Sequence, residues 1–117
     1  MTIDTESLKK LVLNSLKDMK AKEIECIDIR GLSCMADYMI IASGTSNRHI
    51  KSTAENVCEQ SKKVGIIPGL EGREASEWVL VDLGDVIVHI MLPDTRTFYA
   101  IEKLWAMSPD EKENHTA

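Results

Sequence analysis

The segment Trp78–Met91 constrains the fold of this chain more than any other part of its 117 residues. Two apolar runs, Glu77–Leu83 and Val86–Leu92, flank Gly84-Asp85, and a two-residue loop that begins with glycine is typical of a tight β-hairpin turn. Such a turn fixes the pairing register, because a shift of one residue would send every side chain to the other face of the sheet. The sequence therefore predicts an antiparallel hairpin with defined cross-strand partners.

The predicted register gives the hairpin two faces of different composition. One face is wholly aliphatic and should face the core; its pairs are Leu83 with Val86, Val81 with Val88, and Val79 with Ile90. The other face combines a tryptophan, apolar residues, an acid and an imidazole; its pairs are Asp82 with Ile87, Leu80 with His89, and Trp78 with Met91. A tryptophan in such mixed surroundings is typical of a protein-binding surface. The pattern equally allows a helix of the same chain to cover this face.

Hydrophobic periodicity predicts the remaining elements and gives the order αββαββα. Strands and helices alternate only partly, so the expected fold class is α/β with a mixed β-sheet and flanking helices. A single domain should cover residues 1–106, with residues 107–117 as a polar, flexible tail. Outside the hairpin the predicted elements are a helix over Asp4–Lys20, strands over Ile24–Ile29 and Tyr38–Ala42, a helix over Asn47–Val64, a loop over Ile66–Ser76 with room for a short strand, and a helix over Thr95–Trp105.

The charge and the cysteines argue against several classes of function. The net charge is −5 and no block of Lys or Arg offsets it, which disfavours direct nucleic-acid binding and suits a basic protein partner. The three cysteines Cys26, Cys34 and Cys58 lack CxxC spacing, so neither a disulfide framework nor a zinc site is expected. Because the chain has neither an apolar run long enough for a membrane span nor a secretory signal, we expect a cytoplasmic protein.

The turn Gly44-Thr45-Ser46, between the second strand and the second helix, is the strongest candidate for a catalytic or cofactor site. A strand–turn–helix start can hold a phosphate through backbone N–H groups, and such a start also occurs in nucleotidyltransferases. Those enzymes need two carboxylates that project together from one strand to hold metal ions, whereas Asp82 and Asp85 are three residues apart and Asp85 belongs to the hairpin turn. The three histidines share no metal-ligand spacing. We therefore expect no enzyme activity, no cofactor and no metal.

Three segments together resemble the ribosomal silencing factor family, also called the Iojap family. They are Asp28–Val57 (DIRGLSCMADYMIIASGTSNRHIKSTAENV), Glu77–Tyr99 (EWVLVDLGDVIVHIMLPDTRTFY) and Ile101–Trp105 (IEKLW). Cys34 and Met35 stand where the family usually has Ser or Ala and Ile. The resemblance implies a nucleotidyltransferase-like fold without the catalytic carboxylates. It also implies binding to ribosomal protein uL14 of the large subunit, a steric block to joining of the ribosomal subunits, repression of translation under nutrient limitation, and homodimers.

The same resemblance implies a partner-binding surface with two parts. Trp78 and Asp82 belong to the hairpin part, and Leu80 lies between them on the same face. The last helix contributes Tyr99, Glu102, Lys103 and Trp105. The alternative that stays open is a degenerate nucleotidyltransferase-like protein that binds a nucleotide at the turn Gly44-Thr45-Ser46.

Overall fold

The computed structural model describes residues 3–32, 36–72 and 77–95. Its helices are α1 (Thr5–Asp18) and α2 (Asn47–Lys63), and its strands are β1 (Lys22–Asp28), β2 (Tyr38–Ser43), β3 (Gly69–Glu71), β4 (Trp78–Asp82) and β5 (Val86–Met91). Neither of these two helices is both long enough and apolar enough to cross a membrane.

The described strands form one mixed sheet in the order β1-β2-β5-β4-β3. β2 and β5 run parallel, whereas the pairs β1–β2, β4–β5 and β3–β4 are antiparallel. The predicted α/β class, with a mixed sheet and flanking helices, is confirmed. The described order is αββαβββ, because Gly69–Glu71 forms a short strand on the edge of β4 within the segment predicted as a loop. The predicted helix over Thr95–Trp105, apart from Thr95, and the tail 107–117 lie outside the described residues, so the domain boundary stays a prediction.

Helix α1 begins where the sequence offers a cap and an apolar stripe. The Asp4 side chain accepts a hydrogen bond from the backbone N–H of Ser7 at 2.7 Å, which satisfies a donor of the first helical turn. Leu8, Val12 and Leu16 follow at intervals of four residues and are buried. The helix therefore lies with this stripe against the sheet.

Helix α2 also begins with a side-chain cap, and a glycine follows its end. The Ser46 side chain accepts a hydrogen bond from the backbone N–H of His49 at 3.1 Å. Gly65 has a φ of +85°, a conformation that favours glycine and ends helices. The buried face of α2 consists of Ile50, Thr53, Ala54, Val57, Cys58 and Ser61. It lies beside α1 on the same side of the sheet.

The core has two parts, one on each side of the sheet. Strand β2 is buried along its whole length, as its unbroken apolar sequence predicts. Both helices contribute to the larger cluster on one side. The smaller cluster on the other side contains strand residues together with Ile29 and Ala36, which lie between β1 and β2. Within the described residues, helices therefore cover one face of the sheet, and the segment after β1 covers part of the other.

Candidate functional site

The hairpin of β4 and β5 has the predicted register. Its pairs are Trp78 with Met91, Val79 with Ile90, Leu80 with His89, Val81 with Val88, and Asp82 with Ile87. The turn is closed by the backbone N–H of Leu83, which donates to the carbonyl of Val86 at 2.9 Å. Gly84 has a φ of +86°, which explains why glycine stands first in the turn. All six residues of the predicted core face are at most 4% exposed, so that assignment is confirmed.

The opposite side of the hairpin is called the mixed face below. It consists of Trp78, Leu80, Asp82, Ile87, His89 and Met91. Met91 is fully buried in the smaller core cluster and His89 is 6% exposed. Trp78 and Leu80 on β4 are half-buried, and Asp82 is exposed. Within the described residues, the chain thus covers the β5 side of this face at Met91 and leaves part of the β4 side accessible.

Trp78 and His89 form a polar contact on the mixed face. The indole Nε1–H donates to Nδ1 of His89 at 2.9 Å, and the two ring centroids are 5.6 Å apart. Since Nδ1 accepts this bond, the neutral imidazole carries its proton on Nε2. Burial disfavours the charged form and lowers the pKa of His89 to about 4. The contact therefore joins a partly accessible indole to a buried, neutral imidazole.

A depression of about 410 Å³ borders Trp78 on the mixed face, and Glu71, Gly72 and Leu80 complete its lining. Gly72 has a φ of +79°, and a Cβ at this position would lie 2.3 Å from the carbonyl oxygen of Trp78. Only glycine allows the backbone to pass so close to β4. The sequence does not place Glu71 or Gly72 beside Trp78, because its pattern does not predict β3 as a strand paired with β4. Gly72 itself is a visible signal for a turn or a close approach.

Asp82 lies on the same strand face as Trp78, at a distance of about 13 Å along the strand. One of its carboxylate oxygens accepts a hydrogen bond from the backbone N–H of Gly84 at 2.9 Å. Its side chain is exposed. Asp82 therefore stabilises the hairpin turn and still presents negative charge at the end of the mixed face.

The turn Gly44-Thr45-Ser46 uses several of its polar groups within the chain. The backbone N–H of Gly44 donates to the carbonyl of Met91, and that of Thr45 donates to Nδ1 of His49, both at 2.9 Å. His49 also contacts the carbonyl of Met19 through Nε2 at 2.6 Å, which joins the turn to the end of α1. These contacts favour a structural turn and helix cap over a phosphate cradle. Among the described residues there is no group of three or more His, Cys, Asp or Glu that could hold a metal ion.

Comparison with known proteins identifies the family. The family described as "Ribosomal silencing factor during starvation" matches residues 2–117, almost the whole chain. The chain belongs to this family. It is 41% identical over 110 residues to the ribosomal silencing factor of Zymomonas mobilis, covering 93% of this chain and 83% of that protein. The fold is similar to the crystal structure of a Chromobacterium violaceum protein, with a TM-score of 0.87, 42% identity, and coverage of 91% of this chain and 89% of that chain.

A more distant relative comes from the mouse, Mus musculus. The protein named "Mitochondrial assembly of ribosomal large subunit protein 1" is 32% identical over 101 residues, covering 83% of this chain and 44% of that protein. The similar solved structure from Chromobacterium violaceum supports the mixed α/β fold of this ribosomal silencing factor family member. The predicted likeness to nucleotidyltransferases stays a prediction.

The surface expected for a ribosomal silencing factor is only partly described. Trp78, Leu80 and Asp82 lie on one face of β4, as predicted, and Glu71 and Gly72 line the depression beside Trp78 and Leu80. That these residues bind a partner stays a prediction. The predicted residues of the last helix lie outside the described residues; they are Tyr99, Glu102, Lys103 and Trp105.

Proposed function

We propose that this chain binds the large ribosomal subunit through ribosomal protein uL14 and sterically blocks joining of the ribosomal subunits. It thereby represses translation under nutrient limitation. Family membership supports a role at the ribosome, and the name of the mouse relative refers to the large subunit. The observation that carries the proposal is the half-buried pair Trp78 and Leu80 beside a depression on the mixed face.

Trp78 and Leu80 have the properties of an interface anchor. A tryptophan that is already half-buried loses little conformational freedom when a partner covers its remaining surface. Burial of the part of the indole that is still exposed, less than about 90 Å², favours binding by at most about 2 kcal/mol. The depression beside Trp78 offers a place for a side chain of the partner.

The charge of the surface suits a ribosomal protein. Glu71 lines the depression and the exposed Asp82 lies on the same face, within a chain of net charge −5. A protein that is held on ribosomal RNA must present cations to the phosphates. Two carboxylates beside an apolar anchor therefore complement such a partner better than they complement nucleic acid.

The same proposal includes the second part of the surface and the state of the free protein. Tyr99, Glu102, Lys103 and Trp105 would extend the contact with uL14, as the family resemblance implies. The protein would act in the cytoplasm without catalysis, and the free chain would form a homodimer. Light scattering at several protein concentrations measures that last point separately.

Co-sedimentation with purified large subunits tests the proposal. The wild-type chain should migrate with the large subunit, and Trp78→Ala and Leu80→Ala should both weaken this co-migration. Ile67→Ala is the matched control, since Ile67 is 90% exposed but lies beside α2. Each variant is compared by circular dichroism so that loss of fold is not read as loss of binding.

A second measurement addresses the mechanism. Small subunits are added to large subunits with and without saturating protein, and the fraction of joined ribosomes is measured by sedimentation. We expect fewer joined ribosomes with the wild-type chain, and cross-linking of the bound chain to uL14. Normal joining in the presence of bound chain would contradict the steric block, and wild-type binding by Trp78→Ala would contradict the assigned face.

A further inference from the structure

The hydrogen bond between Trp78 and His89 joins a buried residue to a side chain that is partly exposed on the mixed face. His89 is 6% exposed, yet its Nδ1 accepts the indole N–H of a residue whose side chain is only half-buried. Trp78 faces Met91 directly, so it reaches His89 along the diagonal of the hairpin. The hydrogen bond therefore fixes the indole toward β5 rather than allowing it to lie over Met91 alone.

Within the described residues, the strands around His89 place no carboxylate directly beside it to stabilise an imidazolium. Along the row of strands, His89 pairs with Ile41 of β2 on one side and with Leu80 of β4 on the other. The next residues in this row are the carboxylate-bearing Glu25 on β1 and Glu71 on β3. Each lies two strand spacings away, at about 10 Å. Asp82 is the carboxylate of β4 on the mixed face, and it pairs with Ile87 rather than with His89.

We infer that His89 is a positioning residue for Trp78: its neutral imidazole holds the indole, through the Nε1–H to Nδ1 bond, in the orientation that meets the partner. The inference rests on the proposed docking of the mixed face. It assigns a role in binding to a residue that is itself buried and does not touch the partner. The ring can serve this role only when Nδ1 is unprotonated and accepts the hydrogen bond.

Protonation of His89 removes the acceptor. Both ring nitrogens of an imidazolium are donors, so Nδ1–H would point at the indole N–H and the two groups would separate. Because burial keeps the pKa of His89 at about 4, the holding state persists through neutral pH. Acidification should therefore change the environment of Trp78 and the state of His89 together.

Nuclear magnetic resonance of the free protein tests the contact without the ribosome. The indole N–H resonance of Trp78, assigned by its loss in Trp78→Phe, should move as the ring protons of His89 titrate, with one common midpoint well below the ordinary value. The titration covers only the pH range in which circular dichroism stays native. If the indole resonance does not move while His89 titrates, the inference is wrong, and this result does not depend on ribosome binding.

Two variants then separate positioning from packing. His89→Leu removes the acceptor and keeps an apolar side chain, whereas the amide oxygen of His89→Asn can replace Nδ1. We expect roughly fivefold weaker binding of large subunits by His89→Leu, which corresponds to the usual net effect of one lost hydrogen bond, with most of the affinity restored in His89→Asn. In a Trp78→Phe background, which has no indole N–H, His89→Leu should cause little further loss.

The outcomes distinguish the inference from the proposed function. If Trp78→Ala weakens binding but His89→Leu binds as the wild type does, the docking face stands and the positioning role is wrong. Equal losses in His89→Leu and His89→Asn, with both variants folded, would also overturn positioning, because rescue by the acceptor fails. If Trp78→Ala binds large subunits as the wild type does, both the assigned docking face and the positioning role are wrong.

Discussion

At the scale of single residues, His89 links the stability of the fold to pH. Its pKa is lowered to about 4 in the folded chain from an ordinary value of 6.5, because burial penalises the charged ring. Between about pH 4 and pH 6.5, His89 therefore binds a proton in the unfolded chain but not in the folded chain. The contribution of His89 to stability is complete above pH 6.5 and is lost as the pH falls toward 4. We expect the free energy of unfolding to fall by up to about 1.4 kcal/mol per pH unit in this window from His89 alone.

Urea denaturation between pH 7 and pH 4.5 measures this effect. The control is His89→Asn, which does not titrate, so the difference between wild type and variant isolates the imidazole from the carboxylates. Wild type should lose more stability than His89→Asn as the pH falls. Parallel curves for the two proteins would show that His89 is not held neutral by the fold.

Gly72 is a second residue whose identity the backbone dictates. A side chain there meets two costs, since the φ of +79° disfavours any Cβ and the Cβ would lie 2.3 Å from the Trp78 carbonyl oxygen. Gly31 is the matched comparison, because it has a φ of +85° but nothing within 4 Å of its Cβ position. Gly31→Ala should cost about 1 kcal/mol of stability, and Gly72→Ala roughly 2 kcal/mol or more. Thermal and urea denaturation compare the two, and equal losses would contradict the close approach.

At the scale of elements, local signals are sufficient for the hairpin and for both described helices. Gly84-Asp85 specifies the pairing of β4 with β5, and Asp4 and Ser46 mark the starts of α1 and α2. The short strand β3 is not specified in this way, because three residues carry little periodicity and Gly69–Glu71 is extended through its pairing with β4. The sequence can likewise assign Trp78 and Leu80 to one face but cannot say what covers that face.

The covering of the mixed face depends on contacts between distant parts of the chain. Ile29 and Ala36 reach the smaller core cluster from a segment that precedes β5 by about fifty residues. No pattern within the hairpin reports such a contact, since periodicity records only which residues share a face. The hydrogen bond from Trp78 to His89 could not be predicted from the sequence for a similar reason. The register places Leu80 opposite His89, and the diagonal reach of the indole follows only from its rotamer.

The start of α2 gives a prediction about a single element. Ser46 caps the helix by accepting the N–H of His49, so Ser46→Ala should lower the free energy of unfolding by about 1 kcal/mol. Ser52→Ala is the same substitution at an exposed position inside α2, where alanine is the better helix former. That control should be neutral or stabilising by about a few tenths of a kcal/mol. Urea denaturation of both variants checks the assignment, and a neutral Ser46→Ala would contradict the cap.

At the scale of the whole molecule, the helix-covered core and the proposed binding face lie on opposite sides of the sheet. The two described helices contribute to the larger cluster on one side, whereas among the described residues only strand residues and the segment after β1 contribute to the smaller cluster on the other. A substitution at Trp78 or Leu80 therefore leaves the helix-covered core closed, but Trp78→Ala also removes packing from the smaller cluster and the hydrogen bond to the buried His89. The free energy of unfolding is therefore measured beside large-subunit binding for each substitution on this face, so that the two losses are told apart.

The distribution of acidic side chains gives the last prediction. If the partner presents cations to the mixed face, Glu71→Gln combined with Asp82→Asn should weaken large-subunit binding by roughly fivefold to tenfold at low salt. It should also make the affinity depend less steeply on salt. The substitution Asp82→Asn removes the charge but keeps a side-chain oxygen that can accept the Gly84 N–H, so the hairpin turn should be retained.

The control for this prediction is Glu59→Gln combined with Asp18→Asn, which changes the net charge equally at exposed positions on the two helices. Binding is measured by sedimentation across a series of salt concentrations. A local electrostatic contact requires the pair on the mixed face to have the larger effect, because exposed charges beyond about 10 Å are largely screened at physiological salt. Equal effects of the two pairs would mean that only the overall charge of −5 matters and that the mixed face does not meet the cations.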